Sequence, residues 1–192
     1  MTVKYIKEAK SRGYITLCVA SEDSSENLTV SESVYLSLGS PMAGDEITSD
    51  CYDRLSLANS LYQATLKALR ILSYGDNSKS RLYSKLVSGG IPKSVATETV
   101  REMVRLGYLN EDRTLYRLIG DGVNKSLLGR RKLTAKLAAK GYSPSDVSRI
   151  IDEMSESGEI DFERSKAALI KKKLPKDASG EEISVLLYKF GY

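Results

Sequence analysis

A run of basic side chains in the second half of the chain is the feature best placed to bind a partner. The run comprises Lys125, Arg130, Arg131, Lys132, Lys136 and Lys140. Three of its lysines recur at steps of four, which places their ammonium groups on one face of a helix. Such a face can bind phosphate groups, or carboxylates across an interface. The alternative is a solvated helix face that serves solubility.

Two further groups of basic residues are candidates for the same kind of contact. One is the run Lys171–Lys173, which could instead complement the dipole at a helix end. The other lies earlier and comprises Lys79, Arg81, Lys85, Arg101, Arg105, Arg113 and Arg117. Glu98 and Glu102 lie within one helical turn of Arg101 and Arg105, so ion pairs within the helix are at least as good an explanation of those arginines.

From these groups we select a set of candidate partner-binding residues. They are Lys85, Arg101, Arg105, Arg117, Lys125, Arg130, Arg131, Lys132, Lys136, Lys140, Lys171, Lys172 and Lys173.

The absence of histidine excludes several classes of enzyme. Among its 192 residues the chain has no His and two cysteines, Cys18 and Cys51. Ser-His-Asp and Cys-His catalysis are therefore impossible, and a zinc site would need both cysteines and carboxylates. No Walker loop, GxGxxG, HExxH or EF-hand pattern occurs. We expect a protein that is not an enzyme and holds no cofactor or metal, with carboxylate or lysine catalysis as the remaining alternative.

The charge is unevenly distributed along the chain. Residues 1–60 carry five Lys and Arg against nine Asp and Glu, whereas residues 61–192 carry 24 against 16. A basic second part predicts an acidic partner, either nucleic acid or a protein. No apolar run approaches the roughly 18 residues that span a membrane, and the N-terminus lacks the apolar stretch of a secretory signal. We expect a cytoplasmic monomer with no membrane partner.

The first fifty residues predict a small region that contains β-structure. Val3–Ala9 and Tyr14–Ala20 flank a Lys-Ser-Arg-Gly turn, a pattern typical of a hairpin. Leu28–Val30 predicts a short further strand. Ser21–Asn27 is polar and predicts a loop, and Ser31–Leu38 predicts a short helix that Ser31 opens.

The remainder of the chain repeats itself at an interval of 51 residues. Lys85–Leu109, KLVSGGIPKSVATETVREMVRLGYL, returns as Lys136–Ile160, KLAAKGYSPSDVSRIIDEMSESGEI. A third copy begins at Phe162, and Ile183–Tyr192 is similar to Leu133–Tyr142. Either this last repeat is short or the sequence is incomplete. Each copy predicts three helices.

The predicted fold is mainly α, with tandem three-helix repeats in an elongated, curved array and a small β-containing N-terminal extension. The predicted boundaries are 1–50 for the β-hairpin region, 51–109 for repeat 1, 110–160 for repeat 2 and 161–192 for a partial repeat 3. Each junction between repeats has a Gly turn followed by a predicted N-cap, Asn110 or Asp161, and we interpret it as architectural.

Two segments of these repeats resemble the RecX family of bacterial regulatory proteins. Ala68–Arg113 has an Ala-Leu-x-x-Leu opening, a basic helix, a Lys-Leu followed by Gly, and a closing Gly-Tyr-Leu-Asn. Gly129–Met154 resembles the second repeat, including its Gly-basic-basic start. The first fifty residues resemble the β-containing extension of Gram-positive-type members. The chain departs from the family where Thr114-Leu115 replaces the usual Phe-Ala, and where the third repeat lacks its last helix.

The resemblance implies a non-catalytic regulator of the RecA recombinase, acting in homologous recombination, DNA repair and the SOS response. Such proteins bind RecA or the RecA–single-stranded DNA filament, lie along its groove and restrain its ATPase and strand exchange. The residues alone leave an alternative open. Short helix pairs with Gly turns also form DNA-binding units, so the chain could be a helical repeat that binds DNA directly without RecA.

Overall fold

Three strands begin the chain and nine helices follow them in the computed structural model, which describes residues 1–192. The strands are β1 (Thr2–Glu8), β2 (Tyr14–Ala20) and β3 (Ser25–Ser31). The helices are α1 (Glu32–Ser37), α2 (Ser49–Ser73), α3 (Lys79–Ser88), α4 (Lys93–Arg105), α5 (Glu111–Asn124), α6 (Arg130–Ala138), α7 (Pro144–Glu156), α8 (Phe162–Lys173) and α9 (Gly180–Phe190). The predicted mainly α fold with a small N-terminal β-region is confirmed.

The sheet is antiparallel, with β2 between β1 and β3. The predicted hairpin is confirmed, but the prediction of a loop over Ser21–Asn27 is wrong in its second half. The chain reverses within Ser21–Ser24, where the amide of Ser21 donates to the carbonyl of Ser24 at 2.8 Å. The next three residues then pair with the end of β2, because that tight turn leaves their backbone groups facing the strand.

The first of two compact units comprises Met1–Ser73 and Tyr83–Arg105. In this unit α2 packs against β3 and α4. The buried side chains of Leu17, Leu28 and Leu55 belong to one cluster, so the sheet and the long helix share a core. The spacing of Val95, Thr99 and Met103 predicts that Leu106 also lies on the apolar face of α4. That prediction is wrong, because the helix ends at Arg105 and the leucine is exposed.

The second compact unit comprises Tyr74–Leu82 and Leu106–Tyr192. Its core is built from α5, α6 and α7, whose apolar residues recur at three- and four-residue steps. The three- and four-residue spacing of apolar residues predicts six inward side chains in α6 and α7. All six are buried: Leu133, Leu137, Val147, Ile150, Ile151 and Met154. The boundaries of the three repeats stay a prediction.

Local capping fixes several helix ends in the second unit. The side chain of Asn110 accepts from the amide of Arg113 at 2.9 Å, and Asp161 accepts from the amide of Arg164 at the same distance. Ser179 and Glu182 form a capping box at the start of α9. The contacts of Asn110 and Asp161 confirm the two predicted N-caps.

Two kinds of feature are absent from the described residues. No helix combines the length and the apolar character needed to span a membrane. No group of three or more acidic or cysteine side chains is placed to hold a metal ion.

Candidate interaction surface

The candidate partner-binding residues fall in both compact units. Lys85, Arg101 and Arg105 belong to the first unit, and the other ten belong to the second. All are exposed except Lys140, which is half-buried. Exposure is necessary for contact with a partner. The candidates differ in whether their side chains already form contacts within the chain.

The two arginines of α4 form ion pairs within their own helix. Arg101 pairs with Glu98 at 2.5 Å, and Arg105 donates to both oxygens of Glu102 at 2.6 and 2.7 Å. The hydrogen bonds from Arg105 hold the pKa of the Glu102 carboxyl below its usual value. These contacts favour the alternative that the sequence left open for both arginines.

Arg117 and Lys125 share one carboxylate on α5. Arg117 forms ion pairs with Asp76 and, at 3.6 Å, with Asp121. Lys125 lies 2.6 Å from the other oxygen of Asp121, and its hydrogen bond lowers the pKa of that carboxyl. A partner that bound either cation would have to displace a carboxylate already in place.

Arg130 joins α6 to α7. Its guanidinium donates to Asp152 at 2.7 Å and to the hydroxyl of Ser148 at 2.8 Å. The hydrogen bond from Arg130 lowers the pKa of the Asp152 carboxyl. The acidic partner lies 22 residues away in sequence, so periodicity along α6 gave no signal of this contact.

The next two residues, Arg131 and Lys132, hold the C-terminal end of α9. Arg131 donates to the carbonyl of Tyr188, and Lys132 donates to the carbonyl of Lys189, each at 2.8 Å. The guanidinium of Arg131 also lies 4.2 Å from the ring centre of Tyr188. Because the last carbonyls of a helix carry a partial negative charge, both cations stabilise this helix end.

Backbone contacts complete the junction between α6 and α9. The amides of Gly129 and Arg131 donate to the carbonyls of Phe190 and Gly191 at 2.9 and 3.2 Å. A Cβ atom at Gly129 would lie 2.4 Å from the carbonyl carbon of Gly191. The approach of the two backbones therefore requires glycine at position 129.

Five of the candidate cations have side chains with no hydrogen bond or ion pair within the chain. They are Lys136, Lys140, Lys171, Lys172 and Lys173. A partner can bind these ammonium groups without breaking an existing contact. Their binding role stays a prediction.

Two clefts lie at the predicted repeat junctions, and their linings match at positions 51 residues apart. One, of about 350 Å³, is lined by Asp76, Gly107, Tyr108, Asn110, Arg113, Thr114 and Arg117. The other, of about 390 Å³, has the counterparts of all seven, 51 residues on, in its lining: Leu127, Gly158, Glu159, Asp161, Arg164, Ser165 and Ala168. The second cleft lacks the Arg117–Asp76 ion pair because both positions are uncharged there. Their shared features are the Gly turn and the N-cap, which fits the architectural interpretation.

Known proteins resemble this chain in fold. No family model and no curated protein matches the sequence. Among solved structures, the chain is similar to a crystal structure of regulatory protein RecX, with a TM-score of 0.74 and 17% identity over 100% of this chain and 94% of the other. A crystal structure of RecX from Lactobacillus salivarius gives a TM-score of 0.48 and 15% identity over 69% of this chain and 97% of the other. The first similarity shows that this chain has the fold seen in a RecX protein.

Proposed function

We propose that this chain is a RecX-type regulator that binds RecA or the RecA–single-stranded DNA filament and restrains its ATPase and strand exchange. The observation that carries the proposal is the likeness of fold to a RecX protein along the whole chain. The motifs of Ala68–Arg113 and Gly129–Met154, which resemble the first and second RecX repeats, support it independently. The proposed setting is the cytoplasm, in DNA repair and the SOS response, with no catalytic step of its own.

The unpaired lysines are the part of the candidate set that fits this role best. A nucleoprotein filament exposes phosphate and carboxylate groups, and Lys136, Lys140 and Lys171–Lys173 offer ammonium groups that nothing in the chain neutralises. The paired cations are weaker candidates, although exposed ion pairs are worth only about 0–1 kcal/mol and can exchange partners.

The first experiment is a titration of this protein into RecA hydrolysing ATP on single-stranded DNA, at two salt concentrations. Binding of the protein to the same DNA without RecA is measured in parallel. We expect inhibition at protein concentrations well below those that coat the DNA. Inhibition that appears only as the DNA becomes covered, and disappears with added salt, would instead support direct DNA binding without RecA.

A charge-reversal pair tests the unpaired lysines of α6. Lys136→Glu with Lys140→Glu should weaken inhibition at least about tenfold, because two attractive contacts become repulsive. The matched control is Lys4→Glu with Lys10→Glu, which makes the same change of net charge at exposed positions in the first unit. Equal inhibition by both double variants would mean that the α6 lysines do not contact the filament.

A further inference from the structure

The two clefts at the predicted repeat junctions share a backbone geometry but differ in charge. Gly107 and Gly158 both have φ of 76°, and the N-caps that follow them, Asn110 and Asp161, accept at the same distance of 2.9 Å. The first cleft has two arginines and one aspartate in its lining, whereas the second has one arginine against Asp161 and a glutamate. The net charge is therefore +1 in the first cleft and −1 in the second.

The uncompensated charge of the first cleft belongs to Arg113. Arg117 forms an ion pair with Asp76 in the same lining, so these two charges neutralise each other. The side chain of Arg113 is exposed and forms no ion pair or hydrogen bond within the chain. Asn110 already accepts from the amide of Arg113, so the guanidinium, and not the start of α5, is available to a ligand. A guanidinium binds phosphate through paired hydrogen bonds.

An aromatic ring lies in the same cleft. Tyr108 lines it and is 59% exposed. Its ring has no aromatic or cation–π partner within the chain. An exposed ring beside an unpaired guanidinium offers a stacking surface for an unpaired base. The counterpart of Tyr108 in the second cleft is Glu159, which has no ring and repels phosphate.

The ring and the guanidinium together are complementary to one nucleotide of a single strand. The volume of about 350 Å³ is at the lower end of the range for ligand pockets, about 300–1,000 Å³, which fits one such unit. One unpaired positive charge matches one phosphodiester. A free nucleotide has more negative charge and is typically bound by a glycine-rich loop, and no such motif occurs in this chain. A base inside a duplex is stacked on its neighbours, so its face is not accessible.

We propose that the first cleft binds one nucleotide of a single-stranded nucleic acid, with the base on the ring of Tyr108 and the phosphate on Arg113. Neither residue belongs to the candidate set selected from the sequence. The proposal does not rest on regulation of RecA, because the cleft is accessible to a strand whether or not RecA is present. Its test contains no RecA, so each of the two proposals can fail without the other.

The absence of tryptophan provides a direct probe of the cleft. The Tyr108→Trp variant has the only tryptophan of the chain, so its emission reports on this position alone. We expect a saturable decrease in emission on addition of a deoxythymidine strand of about 15 nucleotides, because a base stacks on the indole ring. An abasic strand of the same length has the same phosphates and should leave the emission unchanged.

Tyr188→Trp is the matched control for this probe. Tyr188 is 71% exposed and lies outside both clefts, and the guanidinium of Arg131 already lies 4.2 Å from its ring centre. Its emission should not change when the strand is added. An equal decrease in both variants would show that the strand has no preference for the cleft.

Two arginine variants separate a specific contact from general attraction to a basic chain. Arg113→Ala and Arg164→Ala each remove one exposed cation at the same position of a repeat, so an effect of net charge alone would be equal. We expect Arg113→Ala to weaken binding of a labelled strand at least about threefold more than Arg164→Ala, as measured by anisotropy. Thermal unfolding checks that each variant remains folded.

Two tyrosine variants test the stacking contact itself. Tyr108→Ala should weaken binding at least about fivefold, because it removes the ring. Tyr108→Phe should weaken it less than about twofold, because the ring is retained. Equal losses in these two variants would exclude stacking on the ring.

Several results would overturn the proposal. They include no saturable change in the emission of Tyr108→Trp up to about 1 mM nucleotide, an equal change with the abasic strand, and equal losses in Arg113→Ala and Arg164→Ala. Two further probes test other ligands. Thymidine monophosphate that binds Tyr108→Trp as tightly as the strand would make the ligand a free nucleotide. A polyglutamate peptide of equal charge that displaces the strand would make the cleft a contact for an acidic protein.

Discussion

At the scale of single residues, the charge of a basic side chain is not enough to identify its role. Arg131, Lys132 and Lys136 lie within six positions on one helix, and all are exposed. Two of them donate to carbonyls at the end of α9, and the third makes no contact. The difference comes from what lies within reach of each side chain, which depends on residues more than fifty positions away.

Alanine substitution should separate the structural lysine from the unpaired one. Lys132→Ala removes a charged donor from the carbonyl of Lys189 and should lower the free energy of unfolding by about 0.5–1 kcal/mol. Lys136→Ala removes no contact and should change it by less than about 0.5 kcal/mol. Urea unfolding of both variants measures the difference. Equal losses would mean that the contact with α9 contributes nothing to stability.

The ion pair between Arg130 and Asp152 should make stability depend on pH in the acid range. Since Arg130 lowers the pKa of the Asp152 carboxyl in the folded state, the pair stabilises the fold above the unfolded pKa of about 3.9. That stabilisation is lost as pH falls through the lower, folded pKa. Asp152→Asn should therefore be less stable than the unmodified chain at pH 7, and the deficit should shrink on acidification.

Urea unfolding across that pH range checks the prediction, with Asp177→Asn as the control. Asp177 is exposed and forms no ion pair, so its substitution removes no such contact and should leave stability at pH 7 unchanged. A deficit for Asp152→Asn that stays constant down to pH values well below the unfolded pKa would contradict the assigned cause.

At the scale of elements, the helices were predictable where their signals are local. Asn110, Asp161 and Ser179 mark helix starts because an N-cap acts on amides two or three residues away. The pairing of α6 with the end of α9 was not predictable, since Gly129 has no side chain to signal it. The role of this glycine appears only when the two backbones are seen together.

Gly129→Ala tests that close approach. The added Cβ would lie 2.4 Å from a backbone carbonyl, so the end of α9 must move, at a cost of about 1–3 kcal/mol. Gly180→Ala is the matched control, because a Cβ there meets nothing within 4 Å. Hydrogen exchange should show faster exchange of the last amides of α9 in Gly129→Ala alone. Equal protection in both variants would show that the junction can absorb the methyl group.

At the scale of the whole chain, the repeat and the fold class were predictable because they recur in the sequence. The inward residues of α6 and α7 follow from helical periodicity and are buried as expected. The candidate site was predictable only as a list of cations. Which cations pair depends on contacts such as Arg130 with Asp152 and Arg117 with Asp76. Each contact joins segments far apart in the sequence, whose relative placement no local pattern encodes.

Because the whole chain lacks histidine, an introduced histidine can test whether the charge at one lysine position contributes to binding. No side-chain type in this chain has an unperturbed pKa between about 4.5 and 8, so an introduced histidine would be a new titrating group in that range. Under the proposed function, Lys136→His should bind the RecA–single-stranded DNA filament nearly as well as the unmodified chain at pH 5.5, where imidazole is charged. At pH 7.5 it should bind more weakly, because imidazole is then neutral.

The measured quantity is the affinity of Lys136→His for the filament divided by that of the unmodified chain, at each pH. Titration of groups on the filament affects both affinities and cancels in this ratio. Lys10→His, in the acidic first part of the chain, is the control and should give a ratio that does not change with pH. A constant ratio for Lys136→His would mean that the charge at position 136 does not contribute to binding. A ratio that falls with rising pH would assign that contribution to one side chain, since the substitution alters no contact within the chain.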